Sequence, residues 1–162
     1  MEQIAKFNEK ENRIILDDKY LFAFSKYDGF TERLLRAQLT INYDYEYNLE
    51  LSAYQHERKT RNKSSFFTEI GTLSGQLLTY LESFLESDYL TLKEIYDYET
   101  FQILDIGSQQ YLMNLEPKTT KIGIIDGLPV EYFKSDTEKI LYKFNEYLKD
   151  WVEEKYRNWL DK

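Results

Sequence analysis

The sequence predicts an α+β protein: an antiparallel, twisted β-sheet packed by two long α-helices. Three patterns carry that reading. Residues 39–53, LTINYDYEYNLELSA, alternate apolar and polar without a break, the period of a strand with one buried face. Residues 66–86 and 136–160 carry apolar stripes at helical spacing. Between 106 and 133, short apolar runs are punctuated by Gly107–Ser108, Pro117 and Asp126–Gly127, the rhythm of an antiparallel meander. An antiparallel sheet with helices on it is a stable layer arrangement.

Taken in order, residues 13–16 and 20–25 read as short strands split by the Asp17–Asp18 turn. Asp28–Gly29 turns the chain, and residues 30–37 read either as a short helix headed by Thr31, the preferred reading, or as a strand continuing into Leu39 in a hairpin about Asp28–Gly29. The run 39–53 keeps its parity throughout, whereas a two-residue hairpin loop would flip it. It is therefore one long, strongly twisted strand or a hairpin with an odd-length loop near residues 45–48. The absence of Gly and Pro favours the single strand, although it would span roughly 50 Å. Tyr43, Tyr45 and Tyr47 join the apolar side; Asp44, Glu46 and Glu50 join the polar one.

Residues 55–65 form a polar, basic loop. Ser64 or Ser65 then caps a helix over 66–86, with Phe66, Ile70, Leu73, Leu77, Leu81 and Phe84 on its inner stripe. Gly71 and Gly75 fall near the back of that helix, where close packing would tolerate them. Thr91 and Glu94 have capping-box spacing for a short helix. Strands follow at 101–104, 110–115, 121–125 and 130–133. Ser135 and Glu138 form a second capping box, opening a last helix to about residue 160. Lys155 interrupts its stripe of Leu141, Phe144, Leu148, Trp151, Val152 and Trp159. Either its stem snorkels or the final turns leave the core.

The 162 residues suit a single domain, 1–162, able to bury a core without staples. With no cysteine, disulfides, thiolate metal sites and cysteine nucleophiles are excluded. No apolar run reaches the roughly 20 residues of a membrane span, and the opening MEQIAKFNEKEN lacks an export signal's pattern, so a cytoplasmic protein is expected. The net charge of −8 lies entirely after residue 65. That acidity argues against nucleic acid and suits a basic protein partner.

Motifs for chemistry are sparse. The single histidine, His56, sits in the polar loop without metal-ligand spacing. The segment Gly71 to Gly75 lacks the Lys-Ser/Thr ending of a phosphate loop. Asp105 and Asp126 could act as acid and base, though Asp126 is better read as a turn residue. No catalytic residue, metal ligand or cofactor is assigned. Arg58, Lys59, Arg61 and Lys63 make the one basic cluster, without the aromatics of a nucleic-acid groove. The candidate partner-binding residues are Asp44, Glu46, Glu50, Arg58 and Arg61.

Residues 106–148 carry Ile106–Gly107, then Tyr111–Leu112, then Ile122 to Asp126, then Ser135 with Leu141, Phe144 and Leu148. This glycine turn, hairpin and Ser-led final helix resembles the SUKH-type bacterial immunity superfamily, whose members neutralise toxins. The resemblance implies a non-enzymatic inhibitor acting by surface occlusion, with a toxin or effector as partner. A phage or bacterial assembly protein that dimerises by a sheet edge or the Tyr strip is one alternative. A small carboxylate-dependent enzyme is another.

Overall fold

The computed structural model describes residues 2–29, 33–55, 63–98, 106–115 and 119–161. Its chain order is β1 (Ala5–Asn8), β2 (Arg13–Leu16), β3 (Tyr20–Tyr27), β4 (Arg36–Asn42), β5 (Glu46–Gln55), β6 (Lys63–Thr72), α1 (Gly75–Glu86), β7 (Ile95–Tyr96), β8 (Ser108–Met113), β9 (Thr120–Ile125) and α2 (Asp136–Leu160). Seven strands form one sheet in the order β6-β5-β4-β3-β8-β9-β7, antiparallel throughout except for the parallel β7–β9 pair. The β1–β2 hairpin stands apart as a second, two-stranded sheet. The class is α+β, but the helices are unequal: α2 has 25 residues and α1 only 12.

The alternating run is a hairpin, not a single strand. β4 and β5 pair with Ile41 opposite Tyr47 and Leu39 opposite Leu49. The loop is Tyr43–Asp44–Tyr45, odd in length, which preserves the parity across the turn. Its tightness comes from Asn42. The Asn42 side-chain oxygen accepts from the Asp44 and Glu46 N–H groups (3.0 and 2.9 Å), and its carbonyl accepts from Tyr45 N–H (3.1 Å). Tyr45 takes the left-handed conformation, φ 59°, that such three-residue loops require. An asparagine side chain thus does what a missing glycine suggested could not be done. Leu39, Ile41, Leu49, Leu51 and Ala53 are buried as the alternation expects; Tyr43, on the loop, is exposed.

The helix expected over 66–86 is corrected most. Residues 63–72 are strand β6, paired along its whole length with β5, and the helix begins only at Gly75. Phe66 and Ile70 fit helical spacing, but the segment also alternates, with Phe67, Glu69 and Gly71 on the other face. Pairing with β5 decides in favour of the strand, helped by aromatic and β-branched residues and a glycine poorly suited to a helix. Ser74, not Ser64 or Ser65, is the N-cap, and its side chain makes no capping bond. Gly71 has a packing reason: a Cβ there would sit 2.7 Å from the Tyr47 ring of β5. Gly75 opens α1 at φ 59°, a turn conformation.

Smaller differences have the same kind of cause. Of the two readings of residues 30–37, the strand holds at 36 and 37, which begin β4, where Ala37 pairs with Lys26 and Leu51; residues 30–32 lie outside the described residues. The residues around Thr91 form one 3-10 turn, Tyr89–Thr91, before β7. Val130–Tyr132 is a 3-10 turn, not a strand. The strand expected at 101–104 lies outside the described residues.

The core lies between the sheet and the two helices. Phe22 and Phe24 of β3, Tyr111 of β8, Phe84 of α1 and Phe144 of α2 form one ring cluster with centroids 5.2–6.2 Å apart. The capping box on α2 forms as expected: Ser135 accepts from Glu138 N–H and Glu138 accepts from Ser135 N–H. Lys155 snorkels rather than ending the stripe. Its ammonium meets Glu69 of β6 (2.7 Å) beside the Trp151 ring, and Trp159 stacks on Phe67 beyond it. α2 therefore grips the sheet to its last turn, where Tyr156 is also buried.

Candidate interaction surface

Among the described residues, the second face of the sheet is covered by the β1–β2 hairpin and, at Gln38 of β4, by the chain ahead of it, where the Gln38 amide donates to the Glu2 carbonyl (3.1 Å). Ile4, just ahead of β1, and Leu16 of β2 pack on Ala23 of β3 and Leu112 of β8. Asn114 pins that hairpin, its amide donating to the carbonyls of Leu16, Asp17 and Tyr20 (3.0–3.2 Å). Over β4, β5 and β6 the second face forms a shelf. By register, Arg36, Ser52 and Phe66 make one row across it, and Gln38, Glu50 and Thr68 the next. Thr40, Asn48 and Ile70 make the third. Phe66 is 70% exposed and Ile70 76%. The Arg36 guanidinium lies over the Tyr27 ring, 5.4 Å from its centroid.

Two of the sequence candidates, Glu46 and Glu50, lie on this face of β5. Glu46 is exposed and accepts from the Asn42 side-chain amide (3.2 Å). Glu50 is half-buried on the same face of β5, in the row of Gln38 and Thr68, 3.5 Å from the Gln38 amide. Asp44 is exposed at the hairpin tip, at one end of the shelf. Arg58 and Arg61 lie outside the described residues, as do Lys59, His56 and Asp105. Asp126 faces Lys149 (3.6 Å) and the Gln109 amide (3.3 Å), a pairing role rather than a turn alone.

On the helix side the sequence reading missed a charge cluster. Lys26 and Asp28 are each 6% exposed and form an ion pair at 2.6 Å. Arg33 reaches Asp28 (2.8 Å) and grips Glu153 of α2 with both terminal nitrogens, while lying over the Tyr156 ring. Lys26 is also 3.6 Å from Glu153. Burial alone would raise the Asp28 pKa, but Lys26 and Arg33 together hold it below the usual value. Arg33 does the same for Glu153, against the opposing pull of burial. The signal was present: Phe22, Phe24 and Lys26 share one face, so parity placed a cation in the core, where it needs a partner.

A neutral chain continues along α2. Fully buried Tyr111 donates to the Asn145 side-chain oxygen (2.6 Å), and the Asn145 amide donates to Gln109 (3.1 Å). Burial pushes the Tyr111 hydroxyl well above its ordinary pKa, so it stays a donor. The Tyr47 hydroxyl is likewise pushed up to about 12, by burial and then by Glu69, to which it donates at 2.9 Å. The Asn145 bonds tie α2 to β8, and the Tyr47–Glu69 bond joins β5 to β6.

Part of the acidic excess of the second half surfaces along α1 and just after it. Glu82, Glu86, Asp88, Glu94 and Asp97 are exposed, with exposed Leu90 and Ile95 among them and one cation, Lys93. No group of acidic or histidine side chains suited to a metal ion occurs among the described residues. None of the described helices is long and apolar enough to cross a membrane. The chain matches no protein-family model, and no curated protein matches its sequence.

Proposed function

We propose that this is a non-enzymatic, cytoplasmic inhibitor of the immunity type, which neutralises a basic toxin or effector by laying the open shelf of its sheet over it. The observation that carries the reading is the shelf itself. It combines two strongly exposed apolar side chains, Phe66 and Ile70, with flanking Glu46 and Glu50 on a rigid strand pair. Apolar anchors hold a complex while surrounding charges select and orient the partner. The acidic stretch from Glu82 to Asp97 adds long-range attraction for a cationic partner. The likeness of residues 106–148 to the SUKH-type superfamily supports the same class.

The test is association with a toxin encoded beside the gene, followed by stopped-flow mixing. Glu46→Lys combined with Glu50→Lys should slow association and leave the melting transition unchanged. Raising salt from about 50 to about 500 mM should slow the wild type, as the Debye length shrinks to a few ångströms. A salt-insensitive complex, or one indifferent to both reversals, would remove the shelf as the docking face.

A further inference from the structure

We propose that the outer edge of β6 is a self-pairing site, at which two copies of this chain join antiparallel about a two-fold axis through Thr68. β6 is the terminal strand of the seven-stranded sheet, and no described strand lies beyond it. It runs ten residues in unbroken register with β5. Leu73 N–H donates to Tyr45 C=O (2.8 Å), so the odd-numbered residues are the ones bonded to β5. The N–H and C=O groups of Phe66, Thr68 and Ile70 therefore point off the edge. These are the same residues whose side chains lie on the open shelf.

Edge strands are ordinarily protected by lysines, prolines, bulges or brevity. From Ser65 to Thr72 this strand has none of the four. Its one charge, Glu69, is turned to the helix side and held by Lys155 and Tyr47. The sequence SFFTEIGT is also self-complementary in one register. Centred on Thr68, it sets Phe66 opposite Ile70 of the second copy, twice over, and Thr68 opposite Thr68. Centred on Glu69, it would oppose two carboxylates, which is destabilising. Centred on Phe67, it would leave both Phe66 and Ile70 opposite hydroxyl residues. The Thr68 register alone pairs the two exposed apolar side chains with each other.

That register also keeps residues of like parity opposite, so both helix layers lie on one side of the joined sheet. The two shelves then form one continuous surface, with four apolar side chains at its centre. The contact is isologous and closes at two copies, because each chain spends the one long free edge among its described strands.

Sedimentation velocity of the full chain, from about 1 to about 100 µM, should show a monomer–dimer equilibrium. Thr68→Lys and Thr68→Glu each place like charges opposite at the axis and should each weaken the dimer at least about tenfold. An equimolar mixture of the two variants should restore it. In the wild type, the Phe66, Thr68 and Ile70 amides should exchange slowly at high concentration and rapidly on dilution; their odd-numbered neighbours should stay protected at both. A chain that remains monomeric across the range would overturn the proposal. So would a dimer untouched by both variants, a mixture that does not re-pair, or edge amides whose exchange ignores concentration. None of these measurements involves a toxin, so they stand apart from the inhibitor reading.

Discussion

On the helix side of the sheet, Phe22, Phe24, Tyr111 and Phe144 interlock, and every buried charge has an opposite within reach. On the shelf side, over the same strands β4 and β5, the rows carry Ser52, Gln38, Glu50 and Thr40, with aromatic and aliphatic side chains left in solvent on β6. One pair of strands therefore serves two surfaces with different obligations. The helix face sets stability. The shelf contributes little to it, and its apolar residues are available for contacts outside the monomer.

Substitutions on the two faces should separate sharply. Phe144→Ala empties the centre of the ring cluster and should cost about 3–5 kcal/mol in a urea melt. Asp28→Ala leaves Lys26 buried without its nearest partner and should cost about 3 kcal/mol. A loss below about 1 kcal/mol would show that Lys26 reaches water or Glu153 readily once Asp28 is gone.

The cluster also predicts an acid limb. Asp28 and Glu153 have folded pKa values below their unfolded ones, so their stabilisation is complete above the ordinary carboxylate range near pH 4. It is lost as pH falls through the depressed values. Urea midpoints should hold from neutrality to about pH 5 and then decline, and Glu153→Gln should make the decline shallower. An unchanged pH profile in that variant would detach the cluster from acid stability.

Gly71→Ala drives a Cβ into the Tyr47 ring, itself held by Trp151 and Glu69, and should cost about 1–3 kcal/mol. The smallest effect belongs to the shelf. Phe66→Ser, measured in dilute protein, should stay within about 0.5 kcal/mol of wild type. A larger loss would mean that Phe66 is packed within the monomer, and the contrast between the faces would fail.

Much of the sheet was readable as parity. The burial of Leu39, Ile41, Leu49 and Leu51, strands β2, β3, β8 and β9, and the capped helix α2 all follow from local pattern. Most of what escaped was decided by distant partners. Residues 66–72 fit two periods, and only the presence of β5 alongside selects the strand. Parity allowed the odd-length hairpin, but the choice of it over a single strand and its place at 43–45 were hidden for a local reason, because Asn42 supplies the turn without glycine. Of the candidate surface, the placement of Glu46 and Glu50 on the polar face was legible, since it needs only alternation. The exposure of Phe66 and Ile70 was not, because it depends on β6 being the outermost strand.

The strand order also has a consequence in time. β3 to β6 are consecutive neighbours joined by short-range pairings, whereas β3 meets β8 by setting Phe22 against Met113, across most of the chain. Closing that span is entropically costly, so the early meander should be native-like in the rate-limiting step while the β3–β8 pairing forms later. Destabilising substitutions across β3–β4 should mainly slow refolding, and those across β3–β8 mainly speed unfolding. During synthesis, β3 through β6 emerge well before residue 108 does. For that interval the nascent sheet has an open edge at each end, and the later arrival of β8 closes the one at β3.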